Sequence, residues 1–244
     1  MPTNVTPVEH RATRESLHRV AVHVIARRRT DATGRFGLRA TPGGFGTPAF
    51  GGPDHDEVLR VAGSTLVREQ RAQDGTHAAA HAIDGASLAA LATFAGADLA
   101  GPLSVGSDTP APGDPDLPLT VNPAAADRIA RWFHLGACAL DATVAARGPG
   151  ATASVVQLWP EHFDLACDVA AGATRANLGA SPGDGFHEDP YVYVGPWTAD
   201  RPGDPAFWNA PFGAVLGHDD VFTAADPIAV IAGFFTAGLD LLVG

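Results

Sequence analysis

Between residues 157 and 197 the chain gathers side chains whose types and spacing could do chemistry. QLWPEHFDLACDV is followed closely by RANLGASPGDGFHEDPYVYVGPW, so His162 lies beside Glu161 and Asp164, and His187 beside Glu188 and Asp189. Neutral imidazoles with carboxylates form the donor set of one divalent metal ion (Zn, Fe, Mn or Ni) that keeps an open position, where bound water can become a nucleophile. The spacing assigns His162, Asp164, His187 and Asp189 as ligands and leaves Glu161 or Glu188 as general base. Trp159, Tyr191, Trp197 and Trp208 supply large amphipathic rings for a substrate, with PWTADRPGDPAFWNAPFG as a covering loop. The plain alternative is a polar rim at the end of a sheet, with the aromatic rings sealing the core.

Convergence of these residues requires particular elements. A hairpin turning near Ala170 to Ala173 places Phe163 near Ser181 and His162 near Pro182. A second reversal at Pro182-Gly183-Asp184-Gly185 returns His187 and Glu188 beside Ala180 and Ser181. The histidines then stand two strands apart, roughly 10 Å between backbones. Alternation puts His162 and Asp164 on one face, Glu161 and Phe163 on the other, and His187, Asp189, Tyr191 and Tyr193 on one face of the returning strand. His77 and His81 also share a face in THAAAHA, but only Asp84 stands nearby as a carboxylate, so they read as incidental. His218-Asp219-Asp220 reads as turn and capping residues.

The rest of the chain is predicted from period and punctuation. SLHRVAVHVIARRR fits a helical face through Leu17, Val20, Ala21, Val24 and Ile25, and fits a strand through Val20, Val22, Val24 and Ala26. The helix is preferred, capped at Thr13 or Ser16 with Arg27, Arg28 and Arg29 as a solvated C-terminal end. RFGLRAT, GGFGTPAFG and EVLRVAGSTLVRE read as antiparallel strands, and THAAAHAID as a weak strand before a helix capped by Ser87. Asn122, Pro123 and Gly148 delimit a long helix, and Asp226-Pro227 starts the last one. This order predicts an α+β fold, a mainly antiparallel sheet packed by three to four helices, with two similar β-then-α halves. The reading is one domain over 1–244, its subregions 1–100 and 119–244 joined by a Pro/Gly/Asp-rich surface connection at 101–118.

Composition removes several classes of function. The 16 cationic side chains are all arginine, which excludes lysine Schiff-base chemistry, pyridoxal phosphate included, and a Walker A loop. No nucleotide-binding glycine motif and no nucleophile elbow is predicted. A net charge of -11 argues against nucleic acid. No apolar run reaches the roughly 18 residues of a membrane span, and the N-terminus lacks signal-peptide order, so a cytoplasmic protein is expected. Cys138 and Cys167 sit among apolar residues as reduced core thiols. The abundance of Ala, Gly, Pro and Arg reads as the codon bias of a GC-rich bacterial genome. The partners left are a small-molecule ligand and further copies of the chain.

The order Leu17-His18, Phe163-Asp164-Leu165-Ala166, Pro182-Gly183-Asp184, Tyr191-Val192-Tyr193, Pro196 and Asp226-Pro227 resembles a widespread bacterial family of unknown function. The chain departs from that pattern at Gln157, where the family carries a histidine, and at His162, where it carries a small residue. The resemblance implies a one-domain α+β fold and, since the family has no established activity, no reaction. Taken together, the residues point to a small-molecule-handling protein, a metal-dependent hydrolase-like enzyme with its site at the 157–197 hairpin end. The alternative is a non-catalytic ligand-binding or assembly module that uses the aromatic 197–212 loop.

Overall fold

The first helix starts earlier than its predicted caps, because Thr6-Pro7-Val8-Glu9 is a capping box. In the computed structural model the Thr6 hydroxyl accepts from Glu9 N at 3.3 Å and the Glu9 carboxylate accepts from Thr6 N at 2.9 Å. Helix α1 (Pro7–Val20) runs through a π-helical turn (Ala21–Ala26) straight into α2 (Arg27–Thr33), which Gly34 ends at φ 71°. The segment is thus helical throughout, and its arginines are not a solvated end. Arg27 is buried and donates to Gly101 O at 2.9 Å, Arg29 donates to Gly37 O, and Arg28 pairs with the buried Glu57. The structure describes residues 5–244 except 53, 54, 74, 104, 107, 108 and 149.

The chain divides into two compact units, residues 1–131 with 158–163, and residues 132–157 with 164–244. The first unit holds the N-terminal helix and a sheet of six strands: β1 (Arg39–Thr41), β2 (Gly44–Gly46), β3 (Phe50–Gly52), β4 (His55–Ala62), β5 (Thr65–Ala72) and β6 (Gly75–Ala82). Their order is β1-β2-β4-β5-β6 with β3 also on β4, all antiparallel. Leu59, Val61 and Leu66 turn to the core with Leu17, Val20, Val24 and Ile25 of the helix. Glu57 shares that interior, held by Arg28 at 3.1 Å and Arg68 at 3.0 Å. Helix α3 (Leu88–Ala95) follows, with Ser87 accepting from Ala90 N as its predicted cap. The described residues of the 101–118 connection lie mostly at the surface, as predicted, and several of them are tied to the helix. Arg27 reaches Gly101 O, His23 reaches Pro110 O at 2.7 Å, and Arg19 reaches Pro112 O and Asp114 O.

Helix α4 (Pro123–Ala146) passes from one unit into the other, capped as predicted by the Asn122 side chain on Ala124 N and Ala125 N. Strand β7 (Gln157–Trp159) follows, its Leu158 bridged to Leu38. The second unit places β8 (Asp164–Ala171), β9 (Thr174–Ser181), β10 (Tyr191–Pro196) and β11 (Ala214–Gly217) in the order β11-β10-β9-β8, then α5 (His218–Phe222) and α6 (Pro227–Val243). One face of this sheet is apolar, with Leu165, Cys167, Val169, Leu178, Ala180, Val192 and Val194 buried. Helices approach it closely through glycine: a Cβ at Gly136 would stand 2.5 Å from Ala180 Cβ, and one at Gly238 would stand 2.9 Å from Val194 Cγ2. The fold is α+β with antiparallel sheets, as predicted. Among the described residues the continuous α1–α2 run is followed by α3, α4, α5 and α6, and α5 forms where a turn was predicted. No described helix is long and apolar enough to cross a membrane.

Candidate functional site

The second sheet turns its other face to polar and aromatic side chains. Leu165 pairs with Ala180 and Asp168 with Asn177, one residue away from the expected register, because the hairpin turns on Gly172-Ala173. Ser181 faces Tyr191 and Gly179 faces Tyr193 on the next strand. Tyr193 lies flat across β9, where a Cβ on Gly179 would come within 2.3 Å of its ring, and its hydroxyl donates to Asp164 at 2.5 Å. Glycine within a strand marks such a close approach. Burial first, then the Asp164 charge, hold the Tyr193 phenol well above its ordinary range. Burial and the bond to Asp184 do the same for Tyr191. Both phenols are therefore protonated donors rather than nucleophiles. Burial, with Asp168 adding to it, also pushes the Cys167 thiol up to about 12, which keeps it from acting as a thiolate.

The segment 182–190 is a loop, not the immediate second reversal expected from the sequence. Asp184 organises it: one carboxylate oxygen accepts from Phe186 N at 2.8 Å and His187 N at 3.1 Å, the other from Tyr191 OH at 2.5 Å. Strand β10 begins only after Pro190, which has no N–H to donate, so His187 and Asp189 are not strand residues and do not share the Tyr191 and Tyr193 face by alternation. His187 is exposed and its Nδ1 donates to Asp189 O at 2.8 Å, which leaves Nε2 as the lone-pair nitrogen. Glu188 is exposed. Ser181 lies in Gly179-Ala180-Ser181-Pro182-Gly183, a G-x-S-x-G spacing that the sequence reading passed over. It is buried at the end of β9 and accepts from Gly183 N at 3.2 Å, and a loop follows it where a nucleophile elbow needs a helix.

Trp159, Glu161 and His162 belong to the first unit, where 160–163 is a turn and the predicted strand parity does not apply. Glu161 is buried against Gly106, His162 is exposed, and Trp159 packs on Phe36. Asp164 opens β8 in the second unit. Among the described residues, no group of three or more His, Cys, Asp or Glu side chains is placed to hold a metal ion. Sequence reasoning did not single out His18, whose ring stacks on Phe163 at 5.1 Å and whose Nε2 reaches Pro160 O at 2.8 Å and Glu161 O at 3.2 Å. Its only sequence signal was the Leu17-His18 pair.

The aromatic loop after β10 is built more firmly than its composition suggests. Trp197 stays 61% exposed although Nε1 donates to Asn177 at 2.9 Å and the Arg175 guanidinium lies 5.7 Å from its ring. Arg175 in turn pairs with Asp168. Further on, Arg201 donates to Thr198 O, Asp200 O and Phe212 O and stacks on Trp208, whose Nε1 donates to Pro202 O at 2.9 Å. Phe207 packs on Phe234 of α6, and Phe212 on Phe186 and Tyr193. Between this loop, the β8–β9 turn and the end of α6 lies a cavity of about 520 Å³, lined by Ala173, Thr174, Thr198, Asp200, Arg201, Pro202 and Leu242. Comparison with protein-family models, curated proteins and solved structures finds no match to this chain.

Proposed function

We propose that the chain handles a small polar organic molecule, bound in the second unit where the segment after Trp197 meets the β8–β9 turn. The cavity of about 520 Å³ carries this reading, since small-molecule sites run to about 300–1,000 Å³. Its wall is set in advance by Arg201, which ties three backbone carbonyls of the loop together, so little ordering would be lost on binding. Thr174, Thr198 and Asp200 are polar residues of the lining, while Ala173, Pro202 and Leu242 are apolar ones. That lining suits a short carbon frame bearing hydroxyl or amine donors. Binding is read from the exposed Trp197 by fluorescence titration and by calorimetry, with sugars, polyols and amino acids as probes. A probe that binds the native chain should lose about tenfold or more in affinity with Asp200→Ala, the order expected for one charged hydrogen bond. Undiminished binding in both Asp200→Ala and Trp197→Ala would place the ligand elsewhere.

A second reading, a metal-dependent hydrolase, is favoured by the tautomer of His187, whose Nε2 is left as a ligand nitrogen by the Nδ1 bond to Asp189 O. Elemental analysis of native protein and of His187→Ala tests it directly. About one equivalent of metal present in the first and lost in the second supports the reading, and equal metal content in both removes it.

A further inference from the structure

Strand β6 closes the first sheet on one side. It pairs with β5 from Ala72↔Gly75 to Thr65↔Ala82 without a bulge, and no other described strand pairs with it. Along Gly75–Ala82 every residue but His81 is exposed. Sheet edges are normally blunted by charge, proline, a bulge or a covering element. GTHAAAHA carries no charge and no proline.

The edge is also complementary to itself. His77-Ala78-Ala79-Ala80-His81 reads the same in both directions, so a second copy laid antiparallel with Ala79 on the two-fold axis sets each His77 opposite the other copy's His81. Such an arrangement is closed and isologous. Directly opposed residues share a face with Cβ atoms about 4.5–5.5 Å apart, a separation from which two imidazoles can hold one cation at about 2.0–2.1 Å. His81 is set up for this. Its Nδ1 donates to Ala82 O at 2.7 Å and its ring rests edge-on against Phe94 at 5.6 Å, so Nε2 is the lone-pair nitrogen.

Strand pairing alone is insufficient, since one pair of short edges covers well below the ~1,200 Å² of a stable interface, and copies of net charge -11 repel each other. A bridging cation at each histidine pair answers both difficulties. We propose that β6 is a self-association edge: two copies pair antiparallel about Ala79, closed by two borderline-soft divalent cations such as Zn²⁺, each held by His77 of one copy and His81 of the other.

Light scattering after size exclusion tests this on the full chain, with zinc added or chelated. Zinc should raise the mass from 25.0 kDa to about twice that value, and His77→Ala with His81→Ala should abolish the rise. Ala79 is exposed, so Ala79→Asp and Ala79→Lys should fold as the native chain does by circular dichroism. Each alone sets like charges face to face across the axis and should stay monomeric, whereas an equimolar mixture of the two should dimerise with zinc. A mass that stays at 25.0 kDa with zinc, or Ala79→Asp dimerising as fully as the native chain, would overturn the proposal.

Discussion

His18 is a single side chain whose surroundings fix a pH response. Burial outweighs its two hydrogen bonds to carbonyl oxygens and lowers its pKa from 6.5 to about 4. Above pH 6.5 the ring is neutral in both the folded and the unfolded chain, and it contributes nothing to pH dependence. As pH falls from 6.5 towards 4 the unfolded chain takes up a proton that the folded chain refuses, so stability declines by about 1.4 kcal/mol per pH unit and roughly 3 kcal/mol in all. His23, also lowered mainly by burial, acts in the same direction. Urea unfolding between pH 7.5 and 4.5 should show this loss, and His18→Gln should flatten it; an unchanged slope would mean that His18 is protonated in the folded chain. Gly179 makes a second point at this scale. Alanine there would put a methyl within 2.3 Å of the Tyr193 ring, so the ring must leave its place above β9. Gly179→Ala should cost on the order of 1–3 kcal/mol by overpacking, and Tyr193→Phe, which keeps the ring, should not relieve it.

At the scale of elements, the N-terminal helix carries a row that its π-helical turn keeps in line. His10, Arg14 and His18 are four apart, Arg27 is four beyond His23, but His18 and His23 are five apart. Five residues fall well off one face of an α-helix, and the wider turn at Ala21–Ala26 absorbs the extra one. His18, His23 and Arg27 can then each reach a backbone carbonyl, at Pro160, Pro110 and Gly101. Removing Ala21 should return the segment to plain α-helix with the row intact and the thermal midpoint within a few degrees of native. Removing Ala12 should turn the residues on one side of the deletion by about 100° against those on the other and unfold the first unit. Equal damage from both deletions, seen by circular dichroism, would show that the turn does not absorb a residue. None of this was legible in the sequence, where period alone admitted either helix or strand. Caps were legible because they are local chemistry: Ser87, Asn122 and Asp226 each accept from the backbone amides expected of them. The β8–β9 register missed by one since alanines on both sides of Gly172 gave no preference for where the turn falls. Loop 182–190 was missed because Asp184 has three donors, and only the fold brings Tyr191 to it. The candidate cavity was half legible: the aromatic loop announced itself, but the clamping by Arg201 depends on carbonyl positions that composition does not encode.

At the scale of the whole molecule, the two compact units interleave along the chain. The boundary between the units falls at 131/132, inside α4, and residues 158–163 return to the first unit before β8 resumes the second. Neither unit is one continuous stretch of chain, and α4 runs through the boundary. Phe163, the last residue before the chain re-enters the second unit, shows how firmly that return is fixed. It sits at φ 55° with its N–H on Trp159 O at 2.8 Å, and its ring lies between His18 and Phe45, each at 5.1 Å. A bulky residue holds a left-handed conformation only where surrounding contacts over-determine it, at a cost of about 1–3 kcal/mol. Two effects then compete on truncation. Losing the buried ring costs about 3–5 kcal/mol in Phe163→Ala, but glycine adopts this φ freely and recovers part of the strain that alanine keeps. Phe163→Gly should therefore be more stable than Phe163→Ala by about 1 kcal/mol, the reverse of the usual order. In both variants tryptophan fluorescence and far-ultraviolet circular dichroism should report one coincident unfolding transition. Two separated transitions would show that the units unfold independently despite the shared helix, and alanine above glycine would show that the left-handed turn at Phe163 is not a constraint.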